Sequence, residues 1–175
     1  MRRRRAALVA VLCGATALVA AAVAFAQADH RSVQILDNCD PASFNAAIGP
    51  GTCVRSGGGL AFPRFIDQVS NKGGASSWRF APEKLELSSG GTITATNRGG
   101  EFHTFTEVAS FGGGCVPALN ALLGLTPVAE CSIPGILGTT GVPPGTSATR
   151  GPLAAGIHRF QCLIHPWQRE TAIVG

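Results

Sequence analysis

The sequence predicts an all-β protein built as an antiparallel sandwich or barrel, and three observations carry that prediction. Gly and Pro number 23 and 11 among 175 residues, and both interrupt helices. Two stretches alternate apolar or β-branched residues with polar ones: Leu85 and Leu87 among Lys84, Glu86 and Ser88, then Thr92-Ile93-Thr94-Ala95-Thr96. Turn chemistry punctuates them, first Ser89-Gly90-Gly91 and then Asn97-Arg98-Gly99-Gly100.

Taken in order, residues 27–76 carry Asp40-Pro41, Gly49-Pro50-Gly51, Gly57-Gly58-Gly59 and Gly73-Gly74. This predicts a loop-rich N-terminal extension with one short helix near 42–48. From Trp78 the strand pattern begins, so the β domain is expected over 77–175. Strands follow at 84–88, 92–96 and 102–108. A long insertion at 110–152, with Gly112-Gly113-Gly114 and Pro143-Pro144-Gly145, is expected before the last two strands, 157–163 and 171–174. A helical stretch at 118–125 falls inside it. No internal repeat is visible.

Hydrophobic residues make up 45% and charged residues 14%, which excludes a disordered tail protein. The formal charge of +4 comes from the leading segment: of 14 basic side chains four are Arg2, Arg3, Arg4 and Arg5, and the remaining 10 match the 10 acidic ones. Phosphate neutralisation needs a clustered basic surface, so nucleic acid is excluded as a partner.

Those arginines precede an uncharged run, 6–26, that ends Ala24-Phe25-Ala26. A basic region, an apolar core and an A-x-A site describe a secretory signal peptide over 1–26. An uncleaved anchor is the competing reading: the run is just long enough to span a bilayer, but mostly Ala. Cleavage leaves no membrane span and a secreted or extracytoplasmic chain, in the periplasm or at the cell exterior, where disulfides persist. It also leaves five of the six cysteines. Cys39 and Cys53 lie 14 positions apart, Cys115 and Cys131 16. Pairing these neighbours closes two short loops, each contributing about 3 kcal/mol in the chain-entropy model. Sequence alone does not fix connectivity, and under this pairing Cys162 is left as an odd thiol.

The odd thiol opens the strongest motif, Cys162-Leu163-Ile164-His165-Pro166-Trp167-Gln168, directly after a strand. A thiolate and an imidazole three residues apart in a tight loop reach one metal ion. His103, after the Asn97 turn, offers a second imidazole. Two nitrogens and one thiolate with a weak axial donor form the blue-copper arrangement, and Gln168 is placed to supply the axial amide oxygen.

These residues resemble the cupredoxins, the amicyanin- and plastocyanin-like branch in particular. The resemblance is carried by Phe80-Ala81-Pro82-Glu83, Gly91-Thr92-Ile93-Thr94, Asn97, His103-Thr104-Phe105, and Gly156-x-His158-x-Phe160-x-Cys162-x-x-His165-Pro166-Trp167-Gln168. It covers about two-fifths of the chain. It implies a Greek-key β-sandwich with one type 1 copper ion bound by His103, Cys162 and His165. The usual axial residue is Met, and the only Met here is the initiator. Stellacyanin-like members use Gln, so Gln168 has precedent, with Glu170 the lesser candidate. The resemblance further implies that the Thr104 N–H points at the Cys162 sulfur and that Asn97 ties the two ligand loops together. Pro166 and Trp167 would form an apolar collar around an exposed edge of His165, where redox partner proteins dock transiently. His158, in phase with Phe160 and Cys162 on its strand, is expected at the core or rim and not as a ligand.

Structural zinc sites usually carry more thiolates. A thiol protease would need an orienting acid or amide, and none is evident. Multicopper oxidases need extra imidazoles, often as His-x-His, and none occurs here. The expected function is one-electron transfer between redox partners by Cu(I)/Cu(II), in a carrier and not an enzyme. The alternative is extracytoplasmic copper binding or trafficking without electron transfer.

Overall fold

The computed structural model describes residues 29–175, so the signal-peptide expectation for 1–26, with Cys13, lies outside the described residues. The elements run β1 (His30–Leu36), α1 (Pro41–Ala47), α2 (Phe62–Lys72), β2 (Arg79–Ala81), β3 (Lys84–Leu87), β4 (Thr92–Asn97), β5 (His103–Thr104) and β6 (Thr106–Glu107). They continue with α3 (Pro117–Leu123), a single-turn 3-10 helix (Ala129–Ser132), α4 (Ile136–Thr139), β7 (Gly141–Val142), β8 (Ser147–Arg150), β9 (Gly156–Gln161) and β10 (Arg169–Val174).

Two four-stranded sheets, ordered β2-β1-β4-β8 and β3-β10-β9-β6, face each other, with β5 and β7 forming a separate ribbon. Period-2 alternation decides what lies between them. Val33 and Ile35 of β1, Ile93 and Ala95 of β4, Leu85 and Leu87 of β3, and Ala172 and Val174 of β10 share one core with Phe80, Phe105 and Phe160. Phe105 and Phe160 stack at 4.5 Å between centroids. Each Val, Leu, Ile or Phe among them contributes about 1.5–3 kcal/mol by leaving water. This is the all-β sandwich expected, with two corrections to its pairing. β1 runs parallel to β4, and β3 parallel to β10, so the sheets are mixed and not purely antiparallel.

The extension is likewise more ordered than its Gly and Pro content implied. Its first strand, β1, is an inner strand of the sheet, with β2 on one side and β4 on the other. Its second helix, α2, was missed. Phe62, Phe65, Ile66 and Val69 follow helical spacing on one face, a proline sits in the first turn, and Gly73 closes the helix at φ 75°. The helix near 42–48 is α1, capped where Asp40 accepts from the Ser43 N–H at 2.9 Å. The expected insertion is shorter than 110–152, because β7 and β8 return to pair with β5 and β4.

A second apolar cluster, Phe44, Phe65, Val69, Trp78 and Leu119, packs α1, α2 and α3 into a small cap. The disulfides join Cys39 to Cys53 and Cys115 to Cys131, leaving Cys162 as a buried free thiol. Among the described residues no helix is long and apolar enough to cross a membrane.

Candidate metal centre

The hairpin between β9 and β10 is the loop that presents Cys162 and His165. It closes on itself: the Cys162 N–H donates to the Gln168 carbonyl at 3.1 Å, and the Gln168 N–H to the His165 carbonyl at 2.9 Å. The His165 N–H points at the Cys162 sulfur from 3.5 Å. Beside this loop runs β5, whose Thr104 N–H points at the same sulfur from 3.4 Å, as the sequence reading expected. The Thr104 hydroxyl also accepts from the Leu163 N–H at 2.8 Å, so Thr104 joins the two ligand segments. That task had been expected of Asn97. Asn97 instead donates to the carbonyls of Glu101 at 2.7 Å and Val142 at 2.8 Å, tying the loop before His103 to β7.

Three potential ligand atoms converge. His103 Nδ1 lies 3.3 Å from His165 Nδ1, and the Cys162 sulfur lies 3.7 Å from the first and 3.8 Å from the second. An ion about 2.0 Å from each nitrogen and about 2.3 Å from sulfur, with ligands 110–120° apart, requires roughly 3.3–3.5 Å between nitrogens and 3.5–3.7 Å from nitrogen to sulfur. The donor set fits a transition ion. Gln168, the sequence candidate for a fourth donor, follows in the same loop. It is fully buried, and its Nε2 donates to the Leu36 carbonyl at 3.0 Å. A carbonyl can only accept, so the amide orientation is fixed and Oε1 faces the other way, buried without a partner. Glu170 is also fully buried, with both oxygens unpartnered. Its carboxylate is not in the group whose ligand atoms lie within 4.8 Å of one another, which holds His103, Cys162 and His165. Burial pushes its pKa up to about 8.

The sequence reading missed two carboxylates. Asp37 Oδ2 accepts from His103 Nε2 at 2.9 Å, which leaves Nδ1 for the ion. Asp37 continues the inward face of Val33 and Ile35 past the end of β1, and the N–H groups of Gly100 and Glu101 hold it, both at 3.0 Å. Gly99 must be glycine here, because a Cβ would collide with the Asp37 carboxylate. Although burial opposes it, the His103 hydrogen bond and these N–H groups keep Asp37 well below the usual carboxylate range. Glu101 Oε2 accepts from the Trp78 indole at 2.5 Å and lies 3.7 Å from His165 Nε2. Burial raises its pKa, against the pull of His165. For the metal-free His103, burial lowers the pKa, but Asp37 and the Cys162 sulfur outweigh it and push the value up to about 10. At Cys162 burial raises the pKa, and His103 and His165 outweigh it, holding the thiol well below its ordinary value. In the metal-free site each of the two groups therefore favours the charged form of the other.

Each disulfide loop grips one ligand segment. Beside Cys39–Cys53, the Val54 N–H donates to the Gly100 carbonyl at 2.9 Å, and the Cys39 N–H to Asp37 at 3.2 Å. From the other staple, the Cys115 N–H donates to the Leu163 carbonyl at 2.5 Å. The expected exposed edge of His165 is not there. His165 is 3% exposed, because α2, Trp78 and Trp167 close over it, with Phe65, Trp78 and Trp167 centroids at 6.2, 6.5 and 5.5 Å. Pro166 is buried as well. His158 is no ligand: its nitrogens meet Glu107 at 2.6 Å and the Ala154 carbonyl at 2.8 Å. A second acidic group, Asp37, Cys39 and Glu101, cannot supply a thiolate, since Cys39 is in a disulfide.

No protein-family model and no curated protein matches the sequence. Among solved structures, a purple cupredoxin from Nitrosopumilus maritimus is 14% identical, with 83% of this chain and 99% of that chain covered and a TM-score of 0.44. An amicyanin from Paracoccus versutus is 13% identical, with 55% and 73% covered and a TM-score of 0.36. A Cu(I) form of an amicyanin variant is 19% identical, with 55% and 73% covered and a TM-score of 0.37. The candidate metal centre rests on the geometry of this chain's own residues.

Proposed function

We propose that this protein is an extracytoplasmic type 1 copper protein that carries one electron at a time. The observation that carries the reading is the convergence of His103 Nδ1, Cys162 Sγ and His165 Nδ1, with edges of 3.3, 3.7 and 3.8 Å, inside a buried pocket. Gln168, whose Oε1 is buried without a partner, would supply the fourth donor. A copper ion bound there would supply the Cu(I)/Cu(II) couple. The protein's own work is to hold the donors still: Asp37 fixes the His103 ring and tautomer, and the Thr104 and His165 N–H groups point at the sulfur and temper its charge. Little then needs to rearrange between oxidation states. Two disulfides support an oxidising compartment.

Burial also favours electron transfer over copper delivery. His103 and Cys162 are fully buried, and a protein that hands over its metal needs ligands a receiver can reach. The test is to add one equivalent of Cu(II) to the disulfide-oxidised protein and record visible and EPR spectra. An intense thiolate-to-copper band with narrow hyperfine splitting, absent in Cys162→Ala, is the expected result. An ordinary tetragonal Cu(II) spectrum would reject the reading.

A further inference from the structure

A cavity of about 480 Å³ adjoins the metal centre and opens between α1, α2 and α3. Its walls include Phe44, Phe65 and Leu119, Leu122 stands exposed at its lining, and two polar groups, Glu101 and His165, meet it from the metal side. The volume lies in the range of small-molecule sites, which pair apolar walls with a few convergent polar groups. Glu101 is 5% exposed and lines this space. Its Oε2 is taken by Trp78, and its Oε1 has no hydrogen-bond partner among the described residues. Oε1 is not among the buried atoms without a partner, so it keeps accessible surface, and the cavity that Glu101 lines is where a donor can reach it.

We propose that this cavity binds a small, neutral aromatic molecule carrying a hydroxyl, of the phenol class, whose O–H donates to Glu101 Oε1 while its ring packs among the phenylalanines. Two wall rings, Phe44 and Phe65, stand 5.3 Å apart at 63°, an edge geometry that a flat guest can extend. A carboxylate acceptor disfavours anions, and walls this apolar disfavour strongly hydrated guests. A guest seated there touches the imidazole of His165. Its redox meaning rests on the copper reading above, whereas its binding does not.

Binding is measured by calorimetry on the full chain, disulfides oxidised, first metal-free and then copper-loaded, with naphthol, its methyl ether, naphthylmethylammonium and naphthoate. Naphthol is expected to bind with one-to-one stoichiometry, about tenfold or more tighter than the methyl ether, since a hydrogen bond to a charged acceptor is lost in the ether. Ala118→Trp, on the exposed face of α3 at the cavity, should abolish binding while leaving the far-UV spectrum and the copper spectrum unchanged. Glu101→Gln should erase the preference for the hydroxyl while keeping ring binding. Equal affinity for naphthol and ether, tighter binding of the ammonium or of naphthoate, or full binding by Ala118→Trp would overturn the proposal. So would a concentration-dependent dimer that Ala118→Trp disrupts, which would give the cavity to a second copy of the chain. Failure in the metal-free protein sinks the cavity proposal alone; loss of the copper spectrum sinks only the electron-transfer reading.

Discussion

The two candidate imidazole ligands are held by different means. His103 sits on β5, fully buried, with its outer nitrogen 2.9 Å from a carboxylate that two backbone N–H groups hold in turn. His165 sits in a hairpin loop, its outer nitrogen 3.7 Å from Glu101, with three aromatic rings and the cavity around it. One ligand is oriented by a charged hydrogen bond, the other by packing. The difference teaches that the N-terminal segment does two jobs here: its loop after β1 supplies the carboxylate, and its helices supply the packing.

The largest effect expected is on the packed side. Phe65→Ala removes the ring that joins α1, Trp78, Trp167 and His165, and should cost about 3–5 kcal/mol in denaturant unfolding. A cost below 1 kcal/mol, on the scale of a surface change, would mean the cap is not what holds His165.

Glu170 is a third buried group, packed but without a hydrogen bond to its carboxylate, and its pH dependence sharpens the contrast. Its folded pKa is raised to about 8 by burial. Below the ordinary carboxyl range both states carry the proton. As pH rises from there toward 8, the unfolded chain loses it while the folded one keeps it, so stability falls through that window and levels off above. Unfolding of the metal-free protein across that range should show the slope, and Glu170→Gln should flatten it and raise stability at the alkaline end.

On the hydrogen-bonded side, Asp37→Asn frees the His103 ring and should weaken copper binding by about 10–100-fold, as loss of a ligand's carboxylate partner typically does. Glu101→Gln should change it less, because its carboxylate stands 3.7 Å from His165 Nε2, beyond hydrogen-bond distance. A reversal of that order would erase the distinction. Because Asp37 and the Cys162 sulfur push the pKa of metal-free His103 up to about 10, a copper ion bound at Nδ1 would displace a proton. Competition titrations should find affinity rising with pH between the ordinary histidine range and 10, by about tenfold per unit.

The smallest effect concerns the axis. Gln168→Met replaces an amide oxygen by a thioether, a softer donor, and should raise the reduction potential with the charge-transfer band kept.

Much of this centre was legible in the sequence because the chemistry lies close along the chain. Cys162, His165 and Gln168 share one hairpin, and Thr104 follows His103 directly. The carboxylates were not legible in the same way. Asp37 lies 66 positions from His103, and only the parallel pairing of β1 with β4 brings them together. Its signal was faint but present: Val33, Ile35 and Asp37 alternate in phase, so a strand over 30–36 would aim Asp37 inward. α2 was hidden by the glycines around it, although Phe62, Phe65, Ile66 and Val69 keep helical spacing. The exposed histidine edge failed for a related reason. The motif describes the loop alone, while the cover over His165 comes from Phe65 and Trp78, far back in the chain.

The central claim is that two histidines and one cysteine close on a single copper ion and stay put. X-ray absorption at the copper edge, on the oxidised and the reduced protein, tests it most directly. The account predicts one sulfur and two nitrogen neighbours in both states, with nearly unchanged distances, and loss of the sulfur neighbour in Cys162→Ala. A sulfur-free shell, or a first shell that gains or loses a ligand on reduction, would contradict it.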